Sequence, residues 1–434
     1  MPNAAIVYLP VVQLIPAPRN ARRHSRKQIQ KLARIIGEFG FLVPLLVTQD
    51  GRIIAGHGRA EAAKLLSMTH VPVIYVDHLT PAQIEALALA ENRIGDESRF
   101  SADDVQLIMQ DLAAIGDFDL RTTGFDTAEI DLMLIEPDAE PEEEPEPSRD
   151  GPALSKVGDL FEIGEHRIMC GDALDPATFE RLMAGKLARA SIDDFPFNLP
   201  VNGYVSGTGR HAEFPMASGE MSSAEFTAFI NSVSQLLVAH SLPGSLHYLF
   251  MDHRHLRELL DGAEPAFSQL LNLCVWVKRN AGLGSFYRSR HELIFVFKAG
   301  SAPHINNVEL GKHGRSRSNV WEYAGANSFG KARDRMLAQH PTSKNVGMIA
   351  DAILDCTDRG DLVLDSFLGS GTTLVACEQT GRRCRGIELD PHYVDLVIAR
   401  AERLTGKPAV HIASGKTFAE LIHMRLNPGW GMVA

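Results

Sequence analysis

Cysteine is scarce in this sequence, with five residues in 434. They are Cys170, Cys274, Cys356, Cys377 and Cys384; none forms a C-x-x-C pair, and their number is odd. That argues against both a zinc site and a disulfide framework, and predicts small buried thiols with no metal among them. Long apolar runs are missing too. No stretch approaches the roughly 18 uninterrupted apolar residues of a membrane helix. Residues 5–9 (AIVYL) read as a strand, without the basic head and apolar core of a secretion signal. The expectation is a cytoplasmic protein with no membrane partner. Positive charge is also short, the net charge being −11. A globally basic surface is excluded, and any contact with nucleic acid must rest on a local basic patch.

Much of that charge sits in one place. Residues 136–150 carry eight acids and one arginine, which leaves −4 for the rest of the chain. Pro137, Pro141, Pro145 and Pro147 interrupt the run. Its charges repel and its prolines block helix and sheet, so it reads as an extended linker. The predicted organisation is a front domain over 1–97, a helical appendage over 98–135, the linker over 136–155, a large domain over 156–410 and a tail over 411–434.

In the front part, 27–41 has a helical apolar period (Ile29, Leu32, Ile35, Ile36) closed by Gly40. Strands are expected at 45–48, 52–55 and 71–76, with turn chemistry at 49–51. Helices are expected at 60–66 and 81–92. In the back part, strands at 190–193, 246–250, 274–277, 293–297, 362–365 and 384–387 alternate with helices. That pattern predicts an α/β fold with a mostly parallel sheet covered on both faces.

The clearest chemical signal is a strand ending in Asp365, a loop Ser366-Phe367-Leu368-Gly369-Ser370-Gly371, a helix from Thr372, and a second strand ending in Glu388. Glycines let the backbone approach a ligand, and the helix start adds N–H donors. An acid ending the next strand suits ribose hydroxyls. A dinucleotide would suit this unit as well, but Leu374 stands where the third glycine of G-x-G-x-x-G belongs. A second signal is Asp194-Phe195-Pro196-Phe197-Asn198, placed directly after a strand.

Together these segments resemble the β group of amino-methylating DNA methyltransferases (N6-adenine/N4-cytosine). Asp194-Phe195-Pro196-Phe197 is similar to the family's D-P-P-Y motif, and Phe367-Leu368-Gly369-Ser370-Gly371 to its F-x-G-x-G motif. His340-Pro341-Thr342-Ser343-Lys344 is similar to H-P-T-x-K, and Cys170-Gly171-Asp172-Ala173 to its G-D-A segment. The resemblance covers roughly 157–406 and implies a Rossmann-like fold binding S-adenosyl-L-methionine. It implies cofactor contacts from Asp172, Ala173, His340, Thr342, Lys344, Asp365, Phe367, Gly369, Ser370, Gly371, Thr372 and Glu388. It makes Asp194, Phe195, Pro196 and Phe197 catalytic: the Asp194 carboxylate and the Phe195 carbonyl accept the two amino hydrogens of a flipped-out base, and Phe197 stacks on it. Phe195 departs from the usual proline; its ring either narrows the pocket wall or is simply a core aromatic, a reading that suits Phe197 less. Phe197 replaces tyrosine, and Asn345 replaces a common proline.

Double-stranded DNA is the implied partner, and a homodimer is left open. The basic stretch between the strand near Lys298 and His340 occupies the family's recognition slot. With residues just upstream, it offers Arg288, Arg290, Arg315, Arg317, Lys331 and Arg333 as DNA contacts. Asp252-His253-Arg254-His255 reads as a surface or strand-end segment rather than a metal site.

In the front part, Asn20-Ala21-Arg22-Arg23-His24-Ser25, Gly56-His57-Gly58-Arg59 and Ala90-Glu91-Asn92-Arg93 resemble the N-terminal domain of ParB-type partition proteins. The resemblance implies CTP or another nucleotide at Gly56, His57, Gly58 and Arg59, where a helix start offers donors. Histidine and glycine replace the family's usual acid and basic residue there, so a purely structural turn stays open. The leading expectation is N6-adenine methylation. N4-cytosine methylation, a degenerate methyltransferase that binds DNA as a regulator, and a nucleotide-dependent oxidoreductase are the alternatives.

Overall fold

A computed structural model describes residues 5–19, 22–97, 100–115, 118–134, 151–198, 219–278, 287–308, 317–323 and 344–426. The chain divides into two compact units, residues 1–134 and 135–434.

The first unit holds β1 (Ile6–Pro10), β2 (Leu45–Val47), β3 (Ile53–Ala55) and β4 (His70–Tyr75), in the sheet order β1-β4-β2-β3. Helix α1 (Arg26–Phe39) opens where the Ser25 side chain accepts the Gln28 amide, and Gly40 closes it. Helix α2 (His57–Leu65) starts three residues earlier than the apolar pattern suggests, because Gly56 takes a left-handed conformation as its N-cap. Helix α3 (Pro81–Glu97) runs past the expected end at Asn92. The segment expected as an appendage contains α4 (Ala102–Ala114) and α5 (Thr127–Leu134) and belongs to the same unit. Lys27 and Lys31 of α1 each reach Asp126 at 3.0 Å, and Lys31 also donates to the Gly124 carbonyl at 2.8 Å.

The second unit is built on eleven strands. They are β5 (Leu160–Ile163), β6 (His166–Cys170), β7 (Ala188–Asp194), β8 (Ser241–Met251), β9 (Gln269–Val277), β10 (His291–Lys298), β11 (Val320–Glu322), β12 (Leu362–Asp365), β13 (Arg383–Glu388), β14 (Val410–His411) and β15 (Lys416–Thr417). Their order is β11-β9-β10-β8-β7-β12-β13-β6-β5-β14-β15. The central run β8-β7-β12-β13-β6 is parallel throughout. Both flanks turn antiparallel, at β10 on one side and β5 on the other. Among the described residues its helices are α6 (Pro176–Met183), α7 (Ser223–Ala239), α8 (Leu256–Ala263), α9 (Val346–Cys356), α10 (Thr372–Thr380), α11 (Pro391–Thr405) and α12 (Phe418–Leu426).

The sheet buries apolar side chains on both faces. Ile192, Val363 and Cys384 belong to one core cluster, and Leu249, Leu364 and Ile387 to the other. This double burial explains why β12 reads as an uninterrupted apolar run up to Asp365. Between β7 and β12 the chain direction across the sheet reverses: β7 leads to β8 on one side, β12 to β13 on the other. The carboxyl ends of strands at such a switch point form the natural crevice of an α/β sheet.

The large domain extends beyond the expected limits of 156 and 410. At the front, the Leu154 and Ser155 amides donate to the Asp395 carboxylate at 2.6 and 2.8 Å. At the back, β14 pairs with β5, and Phe418 and Leu421 enter the core. Arg425 closes on Asp159 at 2.6 Å. Two-residue strands and a nine-residue helix are too short to establish a period, which is why 411–426 resembles a tail in sequence. All five cysteines are buried and unpaired. Among the described residues, no helix is long and apolar enough to cross a membrane.

Candidate active site

Asp193 and Asp194 end β7, and Asp365 ends the neighbouring strand β12. Alternation along the strand gives the two aspartates of β7 opposite duties. Asp193 is fully buried. It accepts the Ser366 amide at 3.0 Å and the Ser191 hydroxyl at 2.6 Å, and Ser191 in turn meets His247 at 2.8 Å. It thus ties the start of the glycine loop to the strand carrying Asp194. Burial pushes its carboxyl up to about 6.

Asp194 faces the crevice. Its carboxylate lies 3.0 Å from the Lys344 ammonium, which also reaches Glu292 of β10 at 2.6 Å. Glu292 is held on its other oxygen by Lys278. Three rings enclose the Lys344 ammonium, those of Phe250, Phe197 and Trp276 at 4.9, 5.5 and 5.6 Å. Burial raises the Asp194 carboxyl to about 6; Lys344 pulls against that rise and Glu292 adds to it. Burial also opposes ionisation of Glu292, yet Lys344 and Lys278 hold it down at about 2. Lys344, expected on the cofactor, therefore stands on the carboxylate of the D-F-P-F segment instead. Lys278 is paired with Glu292. Nothing in the sequence pairs Glu292 with Lys344, 52 residues away; Glu292 merely precedes an apolar run.

Phe195 does not line the crevice. Its side chain is fully buried, 5.0 Å from the Phe367 ring and 6.1 Å from that of Phe229. Of the two readings open for it, the core aromatic holds and the narrowed pocket wall does not: this residue packs in the core beneath the glycine loop. Pro196 and Phe197 are half-buried at the rim. Asn198, which the pattern left without a role, adopts φ +50. Its side-chain oxygen accepts the Gly219 and Met221 amides and its nitrogen donates to the Met221 carbonyl, so it pins the segment against residues 21–23 positions later. Asparagine tolerates the left-handed region better than most residues.

The glycine loop follows Asp365. That carboxylate turns inward, accepts the Phe367 amide at 2.9 Å, and is pushed well above its usual range by burial and by Asp193. It braces the loop instead of facing a ligand directly. Gly371 caps α10 at φ +88 with no side chain over the helix start, and a Cβ there would meet Val397 at 3.0 Å. The Glu388 carboxylate accepts the Gly369 amide at 2.8 Å on one oxygen and the Asp390 amide at 2.7 Å on the other. Each oxygen retains a lone pair, and Glu388 is half-exposed. Burial pushes it up to about 7. The Gly171 amide donates to the Glu388 carbonyl at 3.0 Å, which brings Asp172 and Ala173 to the same rim. A half-open acid beside an uncapped helix start is a donor and acceptor set that fits an adenosine ribose and its attached chain.

The expected DNA contacts divide. Arg288 and Arg290 are exposed, although Arg290 also donates to the Lys278 carbonyl at 2.9 Å. Arg317 is corrected from DNA contact to structural clamp. It pairs with Asp351 and Asp355 of α9 at 2.7 and 2.8 Å and lies over the Trp321 ring. Arg315, Lys331, Arg333, His340 and Thr342 lie outside the described residues. Among the described residues no group of His, Cys, Asp and Glu is arranged to hold a metal.

In the first unit the three motifs of the front domain converge. Arg22 donates to Asn92 at 3.2 Å, and a Cβ on Gly58 would meet the His24 ring at 3.1 Å. His57 accepts the Ala17 amide at 3.3 Å, and burial lowers its pKa. Arg59 folds back to the Pro44 carbonyl at 3.5 Å.

Comparison with known proteins agrees with this division. Residues 192–399 match the family model described as DNA methylase, and residues 1–93 the ParB N-terminal domain. Over 78 residues the chain is 47% identical to a ParB-like nuclease domain-containing protein, YnaK of Escherichia coli (strain K12), covering 18% of this chain and 90% of that one. It is 30% identical over 144 residues to the type II methyltransferase M2.MboI of Moraxella bovis, covering 32% of this chain and 51% of that one. It is 30% identical over 169 residues to M2.DpnII of Streptococcus pneumoniae, covering 37% and 59%. The chain thus spans about half the length of the methyltransferases it matches. A solved cytosine-N4-specific enzyme, the PvuII DNA methyltransferase, shares 16% identity and covers 61% of this chain and 93% of its own, with a TM-score of 0.41.

Proposed function

We propose that this chain, which belongs to the N6/N4 DNA methylase family and carries a ParB N-terminal domain ahead of it, transfers a methyl group from S-adenosyl-L-methionine to the exocyclic amine of adenine in DNA. The observation that carries the reading is the placement of Asp194 beside the glycine loop at the sheet's switch point. When bound, the cofactor supplies an electrophilic methyl group on a sulfonium sulfur. The chain's own residues prepare the other reactant. An exocyclic amine is a poor nucleophile because its lone pair is delocalised into the ring. The Asp194 carboxylate accepts a hydrogen bond from one amino N–H, the Phe195 carbonyl from the other, and the nitrogen is drawn towards tetrahedral geometry. The new N–C bond forms as the S–C bond breaks, and the surplus amino proton leaves to solvent. Phe197 at the rim supports the extruded base, a contact worth about 1–3 kcal/mol. Holding both reactants in line supplies much of the acceleration.

Asp rather than Ser at position 194 favours adenine over cytosine, on the family resemblance. The test is transfer of labelled methyl to DNA followed by digestion to nucleosides. N6-methyladenine is expected; N4-methylcytosine would move the assignment, and absence of label on diverse DNA would end it. In the first unit, the convergence of the three ParB-like motifs around the start of α2 supports a second site there for CTP or another nucleotide.

Cofactor affinity carries a pH signature. Glu388 must be ionised to accept two ribose hydroxyls, and in the free protein it holds its proton up to about pH 7. Binding below that pH therefore releases a proton. Calorimetry should find affinity about tenfold weaker at pH 6 than at pH 8, with proton uptake by the buffer at the lower pH. Glu388→Gln should bind weakly at both. Equal wild-type affinity at the two pH values would remove Glu388 from the cofactor site.

A further inference from the structure

We propose that Glu292 is a positioning residue for methyl transfer, acting through Lys344 to keep Asp194 in place with one carboxylate oxygen left to accept a hydrogen bond from the base. This rests on the methyl-transfer reading of the same site. The geometry is a chain of four charges on separate elements: Asp194 at the end of β7, Lys344 ahead of α9, Glu292 on β10 and Lys278 after β9. Two carboxylates share two ammonium groups, so the cluster is neutral as a whole. Lys344 and Glu292 are almost wholly buried, whereas Asp194 keeps nearly a third of its side chain open to the crevice.

The distances rank the partners. Lys344 lies closer to Glu292, at 2.6 Å, than to Asp194, at 3.0 Å. It hydrogen-bonds Glu292 and reaches one Asp194 oxygen at the longer distance, a contact that is both ion pair and hydrogen bond. The cation thus holds one Asp194 oxygen and leaves the other to receive one amino hydrogen of a base. Without the Glu292 charge, Lys344 would turn wholly to Asp194 and quench the acceptor. Without Lys344, two carboxylates would face each other in a buried place, and Asp194 would hold its proton. Among the described residues, the other charged groups near Asp194 are Asp193 beside it on β7, already bound to Ser191 and Ser366, and Asp365 on β12, bound to Phe367. Neither contributes a cation, so Lys344 and Lys278 carry the balance.

The experiment reads the charge on Asp194 directly. Carboxyl-carbon-labelled aspartate is titrated by NMR in the full chain without DNA or cofactor, with Asp194 assigned from its loss in Asp194→Asn. Glu292→Gln should move the Asp194 midpoint down and Lys344→Met should move it up, each by about one pH unit. Lys344→Arg should bring it back. The acidic limb of single-turnover methyl transfer should move in the same two directions, and Glu292→Gln should lower the plateau by about tenfold. If Lys344→Met does not fold, Lys278→Met at the partly exposed end should still raise the midpoint. Midpoints that stay put, or that move the same way in both variants, overturn the inference. A wild-type protein that transfers no methyl sinks the methyl-transfer reading instead, and the titration still decides the charge relation.

Discussion

Asp194→Ala should lower methyl transfer by about 10³-fold, the scale on which a preorganised charged or polar group aimed at the reacting atoms acts. The expectation follows from where the carboxylate stands. It closes β7 at the switch point, partly open to the crevice, with Lys344 beside it and the glycine loop bound to its neighbour Asp193. Removing it leaves the amine with no anionic acceptor and leaves Lys344 paired to Glu292 alone. Cofactor binding should survive, because Gly369, Gly371 and Glu388 are held by their own hydrogen bonds and do not touch Asp194. The measurement is labelled methyl incorporation under single-turnover conditions, with calorimetry for the cofactor. Equal incorporation by Asp194→Ala and wild type would remove the residue from the reaction. A parallel collapse of cofactor affinity would recast it as structural.

Phe195→Ala should cost the second unit about 3–5 kcal/mol, the usual loss when a fully buried aromatic is emptied. The ring sits between Phe229 of α7 and Phe367 of the glycine loop, so the cavity opens under the cofactor motif itself. Phe195→Pro, which restores the residue usual in the family, should destabilise similarly and give no gain in turnover. All three tryptophans, Trp276, Trp321 and Trp430, belong to the second unit, so their fluorescence reports urea unfolding of that unit alone. The expected result is a lower midpoint with an unchanged slope. A midpoint within error of wild type would show that the ring contributes little packing.

The contrast between these two neighbours shows where sequence reading reaches and where it stops. The acid at 194 was legible because its chemistry demands a carboxylate at the end of a strand, and a strand end is visible as the close of an apolar run. For Phe195 both pocket wall and core were open. Successive residues after a strand can face crevice or core, and only the packing of α7 and the loop against that face settles which. Arg317 failed in the same way. Its charge suggested phosphate, but two acids on α9, 34 and 38 residues on, take it up.

By itself, then, the sequence determined the strand–loop–helix–strand unit, the acid that ends each strand and the boundary at the acidic run. These depend on local rules: apolar period, glycine at a tight turn, proline and like charge where no core can form. Only the tertiary structure decided what the charges do. Glu292, Lys344, Lys278 and Asp194 come from four separate elements, and their pairing is set by how β7, β9 and β10 lie in one sheet. The same holds for residues 411–426, too short and weakly apolar to signal a fold, which become part of one because β5 offers them an open edge. Burial then fixes the energetics: a charge removed from water must find its partner across the fold, and local sequence carries no record of that partner.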